Sequence, residues 1–589
     1  MRLYSSFNFF LFLFIFINNL FLIFIFKKIV IKGKDLNYID YSYCRLKGMV
    51  NYIVITGGVI SGLGKGITTA SIGKILQLHG YKVTAMKIDP YMNFDAGTLR
   101  PTEHGEVWVT EDGGEIDQDL GHYERFLDIN IPKKNNITTG QVYSAVIEKE
   151  RSGKYLGKTV QPIPHVTDEI KERIRKSANE NSWDFVLVEI GGTVGDYENV
   201  LFLEAVRQMK LEGDSVLYVH VTYVPVLDTL GEAKTKPTQH SVKLLREIGI
   251  QPDFIITRSE KPLDYVRREK IAMFCNVHEE DVISDSNIDN VYAVTLLFEQ
   301  QGLCEKVLKK LKLKKGHDDL EGWEKFIKKI RTLKNTVTIG IVGKYFDIGT
   351  SQLSDSYISV IEALKHASWN NNLKPCIKWI DSKIFEKNPR KLVPLNKLDA
   401  IIVPGGFGLS GMEGKIQTIR YAREHSIPYL GLCLGMQLAV VEFARNVCNM
   451  KDAHTTEVDK KTPYPVIDFI PDQIKIVQES RYGATMRLGG YPAILKKGSL
   501  INKLYGEEKV FERHRHRYEV NPKYVDALEK CGMVFSGRSP DGVLMEFMEL
   551  PSHPYFVGTQ AHPEFKSRPM KPSPLFDGLI KAAKKKKGI

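Results

Sequence analysis

The stretch Tyr52-Ile53-Val54-Ile55-Thr56-Gly57-Gly58-Val59-Ile60-Ser61-Gly62-Leu63-Gly64-Lys65-Gly66-Ile67-Thr68 decides the fold of the N-terminal half. Its first five residues are β-branched or aromatic and predict a strand. The glycines and the Gly64-Lys65 pair are typical of a phosphate-binding loop that opens a helix, where backbone N–H groups face the anion and the lysine adds a positive charge. A strand, loop and helix in this order indicate an α/β domain with a parallel sheet.

The loop departs from the usual phosphate-binding pattern at two places. Five residues separate Gly58 from Gly64, and Gly66 stands where a Ser or Thr hydroxyl would help to hold Mg²⁺. Carboxylates from elsewhere must then bind the metal. Asp119 lies in an acidic loop, and Glu189 ends an apolar strand at the edge where doubly wound folds place ligand chemistry. Asp119 alone could be a solvated acid, whereas Glu189 before a glycine turn needs a partner.

A second informative segment is Gly431-Leu432-Cys433-Leu434-Gly435, which places one thiol between two glycines. Glycines permit the sharp strand-to-helix turn on which a nucleophile is exposed. The N-terminus of the helix-like run that follows would favour the reactive thiolate. The alternative is a structural cysteine in a glycine-rich turn.

A base and its orienting carboxylate are predicted in Thr559-Gln560-Ala561-His562-Pro563-Glu564-Phe565. On an extended segment His562 and Glu564 would leave the same face of the chain. Together with Cys433 they have the residue types of a nucleophile–base–carboxylate triad. Val403-Pro404-Gly405-Gly406-Phe407-Gly408 reads as the end of a strand followed by a glycine turn.

Composition places the chain among globular proteins of several domains, at 589 residues with 43% hydrophobic and 26% charged residues. The seven cysteines form no CxxC pair, which argues against a disulfide framework or a zinc site and fits a reducing compartment. Much of the net charge of +12 comes from the N-terminal segment and from Lys584–Lys587, so the body gives no argument for nucleic-acid binding. We expect the lysines at the C-terminus to be a solvated basic tail.

The first 48 residues are read as an extension ahead of the first domain. Phe9–Phe26 is almost wholly Phe, Leu and Ile and is followed by Lys27-Lys28. Its length would suit a short membrane anchor, and it lacks the small-residue cleavage site of a secretory signal. Met49 directly precedes the first strand, which favours an upstream extension or a wrongly chosen start. Peptides from before Met49 at the natural N-terminus would contradict that interpretation.

Longer motifs resemble the CTP synthase family. They are Met86-Lys87-Ile88-Asp89-Pro90-Tyr91, Leu120-Gly121-His122-Tyr123-Glu124-Arg125-Phe126, Gly192-Thr193-Val194-Gly195-Asp196-Tyr197-Glu198 and Lys234-Thr235-Lys236-Pro237-Thr238-Gln239-His240-Ser241. The resemblance runs from Met49 to about Ala583, and residues from about 337 to 582 look like a class I glutamine amidotransferase domain.

The resemblance implies a fold, an activity and its site residues. It implies an enzyme that makes CTP from UTP, ATP and glutamine, with 4-phosphorylated UTP as intermediate and ammonia carried through an internal tunnel. Cys433, His562 and Glu564 match the glutaminase triad, Asp119 and Glu189 match magnesium positions, and Asp119 also matches an ATP position. The remaining matched positions are, for ATP, Gly62, Leu63, Gly64, Lys65, Gly66, Ile67 and Ile288; for UTP or CTP, Ser61, Asp196, Tyr197, Glu198, Lys234, Thr235, Lys236, Pro237, Thr238, Gln239 and Lys270; and for glutamine, Gly406, Leu434, Gly435, Met436, Gln437, Glu457 and Arg517.

Two local features bear on these assignments. Asn287 stands where an acidic residue near the ATP base is often found in the family, which leaves the adenine contacts open. A basic run that ends in an aromatic residue, Arg513-His514-Arg515-His516-Arg517-Tyr518, is typical of a nucleic-acid-binding patch. The resemblance implies instead that Arg517 binds the substrate carboxylate. Lys234 and Lys236 would share one face if extended.

The predicted fold class is α/β, with two doubly wound parallel-sheet domains. We expect an extension at 1–48, a P-loop-like synthetase domain at 49–315, a linker at 316–335, a class I glutamine amidotransferase domain at 336–583 and the basic tail at 584–589. Trp323–Ile330 predicts a short amphipathic helix inside the linker. Strands are predicted at Val337–Gly343 and Ala400–Val403, and a helix at Tyr357–His366.

Partners follow from the resemblance alone. It implies a cytoplasmic homotetramer that forms filaments in several members, with GTP as activator and CTP as feedback inhibitor. Nucleic acid is not expected as a partner, and a membrane only if residues 9–26 are an anchor. Two other hypotheses remain open. One is a cobyrinic-acid-type amidase, which should lack the Lys234–Ser241 block, and the other is a filament-forming structural protein with a decayed site.

Overall fold

The first domain is built on a sheet whose central strands, Asn51–Gly57, Val83–Asp89 and Phe185–Ile190, are buried from end to end. Residues 50–178, 181–227, 231–343, 354–406, 411–469 and 485–589 are described by this computed structural model, and the N-terminal hydrophobic stretch lies outside them. The strands of the first domain are β1 (Asn51–Gly57), β2 (Val83–Asp89), β3 (Val107–Val109), β4 (Glu115–Asp117), β5 (Asn136–Thr138), β6 (Phe185–Ile190), β7 (Ser215–Tyr223), β8 (Val226–Leu227), β9 (Glu232–Ala233), β10 (Phe254–Ser259) and β11 (Val282–Ser286).

Helices connect these strands, as expected for parallel pairing. They are α1 (Lys65–Leu78), α2 (Pro101–His104), α3 (Asp119–Leu127), α4 (Thr139–Arg151), α5 (Thr167–Ala178), α6 (Val200–Leu211), α7 (Lys236–Glu247), α8 (Tyr265–Cys275), α9 (Val294–Gln300) and α10 (Leu303–Lys310). The main sheet is parallel throughout, in the order β11-β10-β7-β1-β6-β2-β5.

The central strand β1 shows why this sheet is covered on both faces. Side chains alternate along a strand, so Ile53 and Ile55 join one hydrophobic cluster whereas Tyr52 and Val54 join another. All seven residues of β1 are buried. The ligand-facing loops lie at the carboxyl edge of this sheet, because parallel strands all end there.

The linker is an ordered part of the first domain. Helix α11 (Leu320–Thr332) contains the predicted amphipathic segment, and its buried side chains Trp323, Phe326 and Ile327 pack into the first domain's core. Two residues of the second domain, Trp369 and Phe565, join the same cluster. The two domains therefore share a continuous apolar contact.

The second domain is built on a larger sheet. Its strands are β12 (Thr336–Gly343), β13 (Lys374–Asp381), β14 (Ala400–Val403), β15 (Tyr429–Leu432), β16 (His454–Thr455), β17 (Pro465–Phe469), β18 (Arg487–Leu495), β19 (Lys509–His516), β20 (Tyr518–Val520), β21 (Val534–Arg538), β22 (Met545–Glu549) and β23 (Phe556–Thr559). Its helices are α12 (Ile358–Asn370), α13 (Lys383–Lys387), α14 (Met412–Glu424), α15 (Leu434–Asn446), α16 (Leu500–Tyr505), α17 (Pro522–Lys530) and α18 (Pro574–Lys587).

The order of the second sheet is β13-β12-β14-β15-β23-β22-β21-β18-β19. Neighbouring strands from β13 through β12, β14 and β15 to β23 pair in parallel, as predicted. The strands predicted at Val337–Gly343 and Ala400–Val403 are confirmed as β12 and β14. From β23 onward the pairing is antiparallel, an extension that the sequence analysis did not predict. The α/β fold class is confirmed for both domains.

The C-terminal lysines are not a free tail. Helix α18 continues through Lys587. Its last residues contact the edge of the second sheet at which β12 and β14 begin. Lys586 Nζ donates to the Leu398 carbonyl at 2.6 Å and Lys587 Nζ to the Thr336 carbonyl at 2.8 Å. Within the described residues, no helix is long and apolar enough to cross a membrane.

Candidate active sites

The loop predicted to bind phosphate lies between β1 and α1, at the carboxyl edge of the first sheet. Gly64 has φ 85° and precedes Lys65, the first residue of α1. Lys65 Nζ donates a hydrogen bond to the Gly192 carbonyl at 3.0 Å. Burial lowers the pKa of Lys65, and the Glu189 carboxylate opposes that shift. The Lys65 ammonium group thus lies between the glycine loop and the segment that begins at Gly192.

Gly66 explains the departure from the usual loop pattern. A Cβ atom at this position would lie 2.3 Å from Asp119 Oδ1, so a serine or threonine here would require the Asp119 carboxylate to move. A carboxylate from the start of α3 therefore occupies the space beside the loop where the common pattern places a hydroxyl.

Four carboxylates surround the ammonium group of Lys87, at the end of β2. Lys87 Nζ lies 3.5 Å from Asp89, 3.6 Å from Asp117 and 3.5 Å from Glu189, and it contacts Asp119 more closely. Glu189 is fully buried and accepts hydrogen bonds from Thr69, at 3.0 Å, and from the Tyr123 hydroxyl.

The charge of this cluster suits a divalent cation. Burial raises the pKa of Glu189, and it raises that of Asp89 to about 7 although Lys87 opposes both shifts. Burial would also raise the pKa of Asp119, but the Lys87 ammonium outweighs it and lowers the pKa to about 2. Glu189 Oε1 has no hydrogen-bond partner in the part of the chain that the structure describes. Buried acidic oxygens with unused acceptor capacity are the donors that Mg²⁺ prefers, so the residues present fit this ion.

Some of the predicted pyrimidine-nucleotide residues are exposed, whereas Thr235 and Thr238 are buried. Asp196, Tyr197 and Glu198 follow β6, where Tyr197 is 99% exposed. Lys270 is exposed on α8. Lys234 and Lys236 would share one face only on an extended segment, but Thr235 has helical backbone angles and α7 begins at Lys236. Lys234 instead pairs with Glu232 at 2.7 Å.

The other predicted nucleotide residues have local partners. Gln239 Nε2 donates to Thr235 Oγ1 at 3.1 Å, and Thr238 Oγ1 lies 2.6 Å from Thr222 Oγ1. Pro237 is the second residue of α7, where a backbone N–H would have no partner within the helix. Ser61 is exposed and Ile288 packs against the first domain's core. Asn287 donates its backbone N–H to the Ser259 carbonyl at 3.1 Å.

Cys433 occupies a sharp turn between β15 and α15. Its backbone angles are φ 49° and ψ −102°, which a non-glycine residue rarely adopts. The glycines on both sides are required by close packing: a Cβ atom at Gly435 would lie 2.1 Å from the Val403 carbonyl oxygen, and one at Gly431 would lie 2.7 Å from the Gly435 backbone. The turn presents the cysteine at the N-terminus of α15, as predicted.

His562 and Glu564 meet without lying on an extended segment. His562 is followed by a 3₁₀ turn, Pro563–Lys566, which brings Glu564 Oε1 within 2.8 Å of His562 Nδ1. Burial would lower the pKa of His562, but Glu564 and then Cys433 outweigh it and raise the pKa to about 10. The Cys433 thiol lies 3.9 Å from the Arg515 carbonyl and 3.7 Å from Gln560 Nε2. His562 Nε2 has no hydrogen-bond partner among the described residues.

A cavity of ≈ 500 Å³ opens beside this cysteine and lies between the two domains. The second domain lines it with Gly406, Cys433, Arg517 and His562, among others. The first domain contributes the segments 97–100 and 106–107. The cysteine thus faces space that is bounded by both domains.

The predicted glutamine residues fall partly on this cavity. Gly406 and Arg517 line it, and Arg517 Nη2 donates to Thr485 Oγ1 at 2.9 Å. Leu434, Gly435, Met436 and Gln437 form the buried first turn of α15. Gln437 Nε2 donates to the Tyr518 carbonyl at 2.8 Å. Glu457 follows β16 and is not among the residues that line the cavity. Phe407 and Gly408 of the glycine loop lie outside the described residues.

The basic run before Tyr518 is a contact between domains and not a nucleic-acid patch. Arg513 is fully buried and forms ion pairs with Glu124 at 2.8 Å and Glu111 at 3.0 Å. Arg515 pairs with Glu115 at 2.8 Å. The arginines alternate with buried histidines along β19, so the arginines share the face that meets the first domain.

Several residues at these sites were not predicted. Lys87 and Asp89 are two residues apart at the end of β2, so their side chains leave the same face of the strand. That spacing could have indicated that the two side chains lie together. Glu106 and Gln560 gave no such signal, because only the tertiary structure brings them to the cavity and the cysteine.

Comparison with known proteins agrees with this arrangement. Residues 51–313 match the family described as CTP synthase N-terminus, and residues 352–582 match the one described as Glutamine amidotransferase class-I. The fold and the sites thus define a synthetase joined to a class I glutamine amidotransferase. CTP synthase of Pyrococcus furiosus is 58% identical over 92% of this chain and 99% of its own length, and that of Methanocaldococcus jannaschii is 55% identical over 91% and 98%. The chain therefore belongs to the CTP synthase family.

A solved structure is also similar over the second domain. It is the glutaminase domain of Trypanosoma brucei CTPS with bound acivicin, with 36% identity and a TM-score of 0.40. The match covers 42% of this chain and 94% of that structure.

Proposed function

We propose that this enzyme, a glutamine-dependent CTP synthase by its family, divides the conversion of UTP to CTP between two sites. The site at Lys65 activates UTP with ATP, and the site at Cys433 releases ammonia from glutamine. The observation that supports this division most strongly is the cavity beside Cys433, because residues of both domains line it.

At the first site the γ-phosphoryl group of ATP is transferred to O4 of the uracil ring. ADP leaves, and the poor leaving group at C4 becomes a phosphate ester. Ammonia then forms the new C4–N bond, the C–O bond breaks, and inorganic phosphate departs with loss of a proton to solvent. Lys65 lies where it can hold the transferring phosphate by charge.

Asp119 and Glu189 would hold Mg²⁺ at this site. When bound, the ion neutralises phosphate charge and orients the transferring group. Lys87 keeps the carboxylates together, since it lies within 3.6 Å of Asp89, Asp117 and Glu189 and closer still to Asp119. The loop residues Gly62–Ile67 would face the phosphates of ATP with their backbone N–H groups.

At the second site the Cys433 thiolate attacks the side-chain amide of glutamine. The C–N bond breaks, His562 gives the departing nitrogen its proton, and a thioester forms. Water then hydrolyses the thioester to glutamate with His562 as the base. Glu564, at 2.8 Å, keeps the imidazole oriented and charged. Gly406 would stabilise the oxyanion and Arg517 would hold the glutamine carboxylate.

The pyrimidine nucleotide would bind at the Asp196–Glu198 and Lys234–Gln239 segments, with Lys270 nearby. Asp196, Tyr197 and Glu198 are exposed in a single chain, so a neighbouring subunit of the homotetramer that the family resemblance implies could cover them. GTP activation, CTP feedback inhibition, filament assembly and a cytoplasmic location belong to the same proposal. Residues 9–26 decide whether the protein also reaches a membrane.

The proposal is tested with the full-length chain, UTP, ATP, Mg²⁺ and either glutamine or an ammonium salt. CTP formation is measured by its absorbance change. Cys433→Ala should abolish glutamine-dependent synthesis and retain ammonia-dependent synthesis. Cys376→Ala, on the partly exposed strand β13 of the same domain, is the matched control and should retain both.

Each other outcome contradicts part of the proposal. If no CTP forms with either nitrogen source, the proposed reaction is wrong. If Cys433→Ala loses both activities while it remains folded, the two-site division is wrong. Amidation of a substrate other than UTP would favour the amidase hypothesis, and assembly without any turnover would favour the structural one.

A further inference from the structure

Three side chains of metal-binding type meet at the C-terminal end of α1, away from the active sites. They are His79, which follows α1, Glu299 in α9 and Cys304 in α10. One ligand atom from each lies within 4.8 Å of the others. Imidazole nitrogen, carboxylate oxygen and thiolate sulfur are the donor types of tetrahedral zinc sites, and these separations fit ligands around one ion.

The polar atoms of this cluster are buried but incompletely paired. His79 Nε2 and Glu299 Oε1 are 3.0 Å apart, and the His79 side chain is fully buried. His79 Nδ1 and Glu299 Oε2 are buried without a hydrogen-bond partner among the described residues. Such unpaired groups are costly in a protein interior. A bound cation would use acceptor capacity that the protein itself leaves unused.

The thiol of Cys304 can reach such an ion only from within the protein, since the residue is 2% exposed. Burial raises the pKa of Cys304 to about 12, and the Glu299 carboxylate adds to the shift. Without metal the thiol therefore keeps its proton. Metal binding would form the metal–sulfur bond, break the S–H bond and release the proton to solvent.

The interdomain linker passes directly over this cluster. The Asp319 N–H donates to the Leu78 carbonyl at 2.9 Å, and the Tyr81 hydroxyl donates to the Lys314 carbonyl. Gly316 approaches so closely that a Cβ atom there would lie 2.3 Å from the His79 carbonyl oxygen. Asp318 in the same segment accepts a hydrogen bond from the Leu320 N–H at 3.2 Å and pairs with Lys315 at 3.3 Å.

We propose that His79, Glu299 and Cys304 bind one Zn²⁺ ion, with water in the fourth position. The ion would hold the end of α1, over which residues 314–319 pass, to α9 and α10. This structural site is separate from the Mg²⁺ site at Asp119, because a mixed nitrogen, oxygen and sulfur set selects zinc over magnesium. The proposal does not depend on the reaction proposed above.

Cobalt substitution in the full-length chain tests the site without reference to activity. The measurements are made in a Cys433→Ala background, so that the thiol beside His562 cannot contribute. We expect one Co²⁺ per chain, with the visible bands of tetrahedral cobalt and a near-ultraviolet sulfur-to-cobalt charge-transfer band. Zn²⁺ should displace the Co²⁺, and Mg²⁺ should not.

Cys304→Ser should remove the charge-transfer band and weaken Zn²⁺ binding by more than about 100-fold, because losing even an outer-shell partner costs roughly 10- to 100-fold. Cys275→Ser is the matched control, since Cys275 is also fully buried in the first domain. It should retain both the band and the affinity. A missing band, or one that survives Cys304→Ser, would overturn the proposal.

A second variant keeps the proposal testable if Cys304→Ser folds poorly. Glu299→Gln preserves shape and the thiol but removes the anionic ligand, and Zn²⁺ affinity should again fall by more than about 100-fold. Zn²⁺ should protect Lys312, Lys314 and Lys315, which follow α10, from trypsin in the parent and not in Glu299→Gln. Unchanged affinity and protection in this variant would show that the cluster binds no zinc.

Discussion

At the scale of single residues, the glutaminase site depends on how Glu564 sets the charge of His562. The imidazole is buried, which by itself would lower its pKa, yet Glu564 and Cys433 raise the pKa to about 10. His562 is therefore an imidazolium at neutral pH, and its positive charge lies close to Cys433. A cation in this place favours the reactive thiolate and supplies an acid for the departing ammonia.

Glu564→Gln should lower glutaminase activity by about 10²-fold, in the range of general acid–base effects. The raised pKa means that native His562 stays protonated until the pH approaches about 10. Without the carboxylate, burial dominates and the pKa falls, so the imidazole loses its proton at lower pH. The alkaline limb of the kcat/KM profile for glutamine should move to lower pH. Glu529→Gln, which alters the ion pair with Arg538 elsewhere in the domain, should leave the profile unchanged.

Lys65→Ala should lose CTP formation with glutamine and with ammonia alike. Its ammonium group lies at the phosphate-binding loop, so both nitrogen sources need it for activation of UTP. Hydrolysis of glutamine should persist, because Cys433 and its partners are untouched. The measurement is glutamate release beside CTP formation. Retained CTP synthesis in a folded variant would exclude Lys65 from phosphate binding.

At the scale of elements, the turn from β15 to α15 is held by close backbone contacts. Gly435 packs against the end of β14, where a Cβ atom would lie 2.1 Å from the Val403 carbonyl oxygen. The three elements meet at the point where Cys433 has its unusual backbone angles. Any added side chain must move either the nucleophile or the strand that leads to Gly406.

Gly435→Ala should destabilise the protein by about 1–3 kcal/mol, the usual cost of overpacking, and should reduce glutamine-dependent CTP synthesis more than ammonia-dependent synthesis. Gly322→Ala is the matched control, because Gly322 lies in α11 with no atom within 4 Å of its would-be Cβ. That control should gain about 0.4–1 kcal/mol. Urea denaturation of both variants checks the two signs, and equal stability would contradict the packing argument.

At the scale of the whole molecule, buried ion pairs join the two domains around Glu124. The Glu124 carboxylate accepts from Arg513 and from Arg568, each at 2.8 Å, and all three side chains are buried. Glu124 belongs to α3, the helix that begins at Asp119. Arg568 follows the 3₁₀ turn that contains Glu564. One carboxylate thus connects the helix of the proposed metal site with the segment of the triad.

Glu124→Gln should destabilise the folded chain by about 3–5 kcal/mol, because it removes the carboxylate that two buried guanidinium groups share and leaves Arg513 with Glu111 alone. Glutamine-dependent synthesis should fall more than ammonia-dependent synthesis, since the proposed transfer of ammonia needs both domains in place. Glu321→Gln removes an exposed pair with Lys325 and should change stability by less than about 0.5 kcal/mol. Equal urea midpoints for the two variants would contradict the role of Glu124.

Features that depend on local sequence patterns were predicted more fully than features that depend on long-range contacts. The strand before the glycine loop, the loop itself and the turn at Cys433 depend on residues close together in the chain, and each was predicted. The antiparallel extension β22-β21-β18-β19 was not, because strand order depends on pairing between distant segments. His562 and Glu564 were predicted to meet, but on an extended segment, whereas Pro563 opens a 3₁₀ turn.

The sequence by itself determined the α/β class, the two halves and the residue types of the triad and the phosphate loop, because backbone preferences and side-chain chemistry act locally. Tertiary structure alone decided that Asp119 fills the space beside Gly66, that Lys87 gathers four carboxylates and that Arg513 is an interdomain contact. Only folding brings these distant charges together, where burial makes their pairing obligatory.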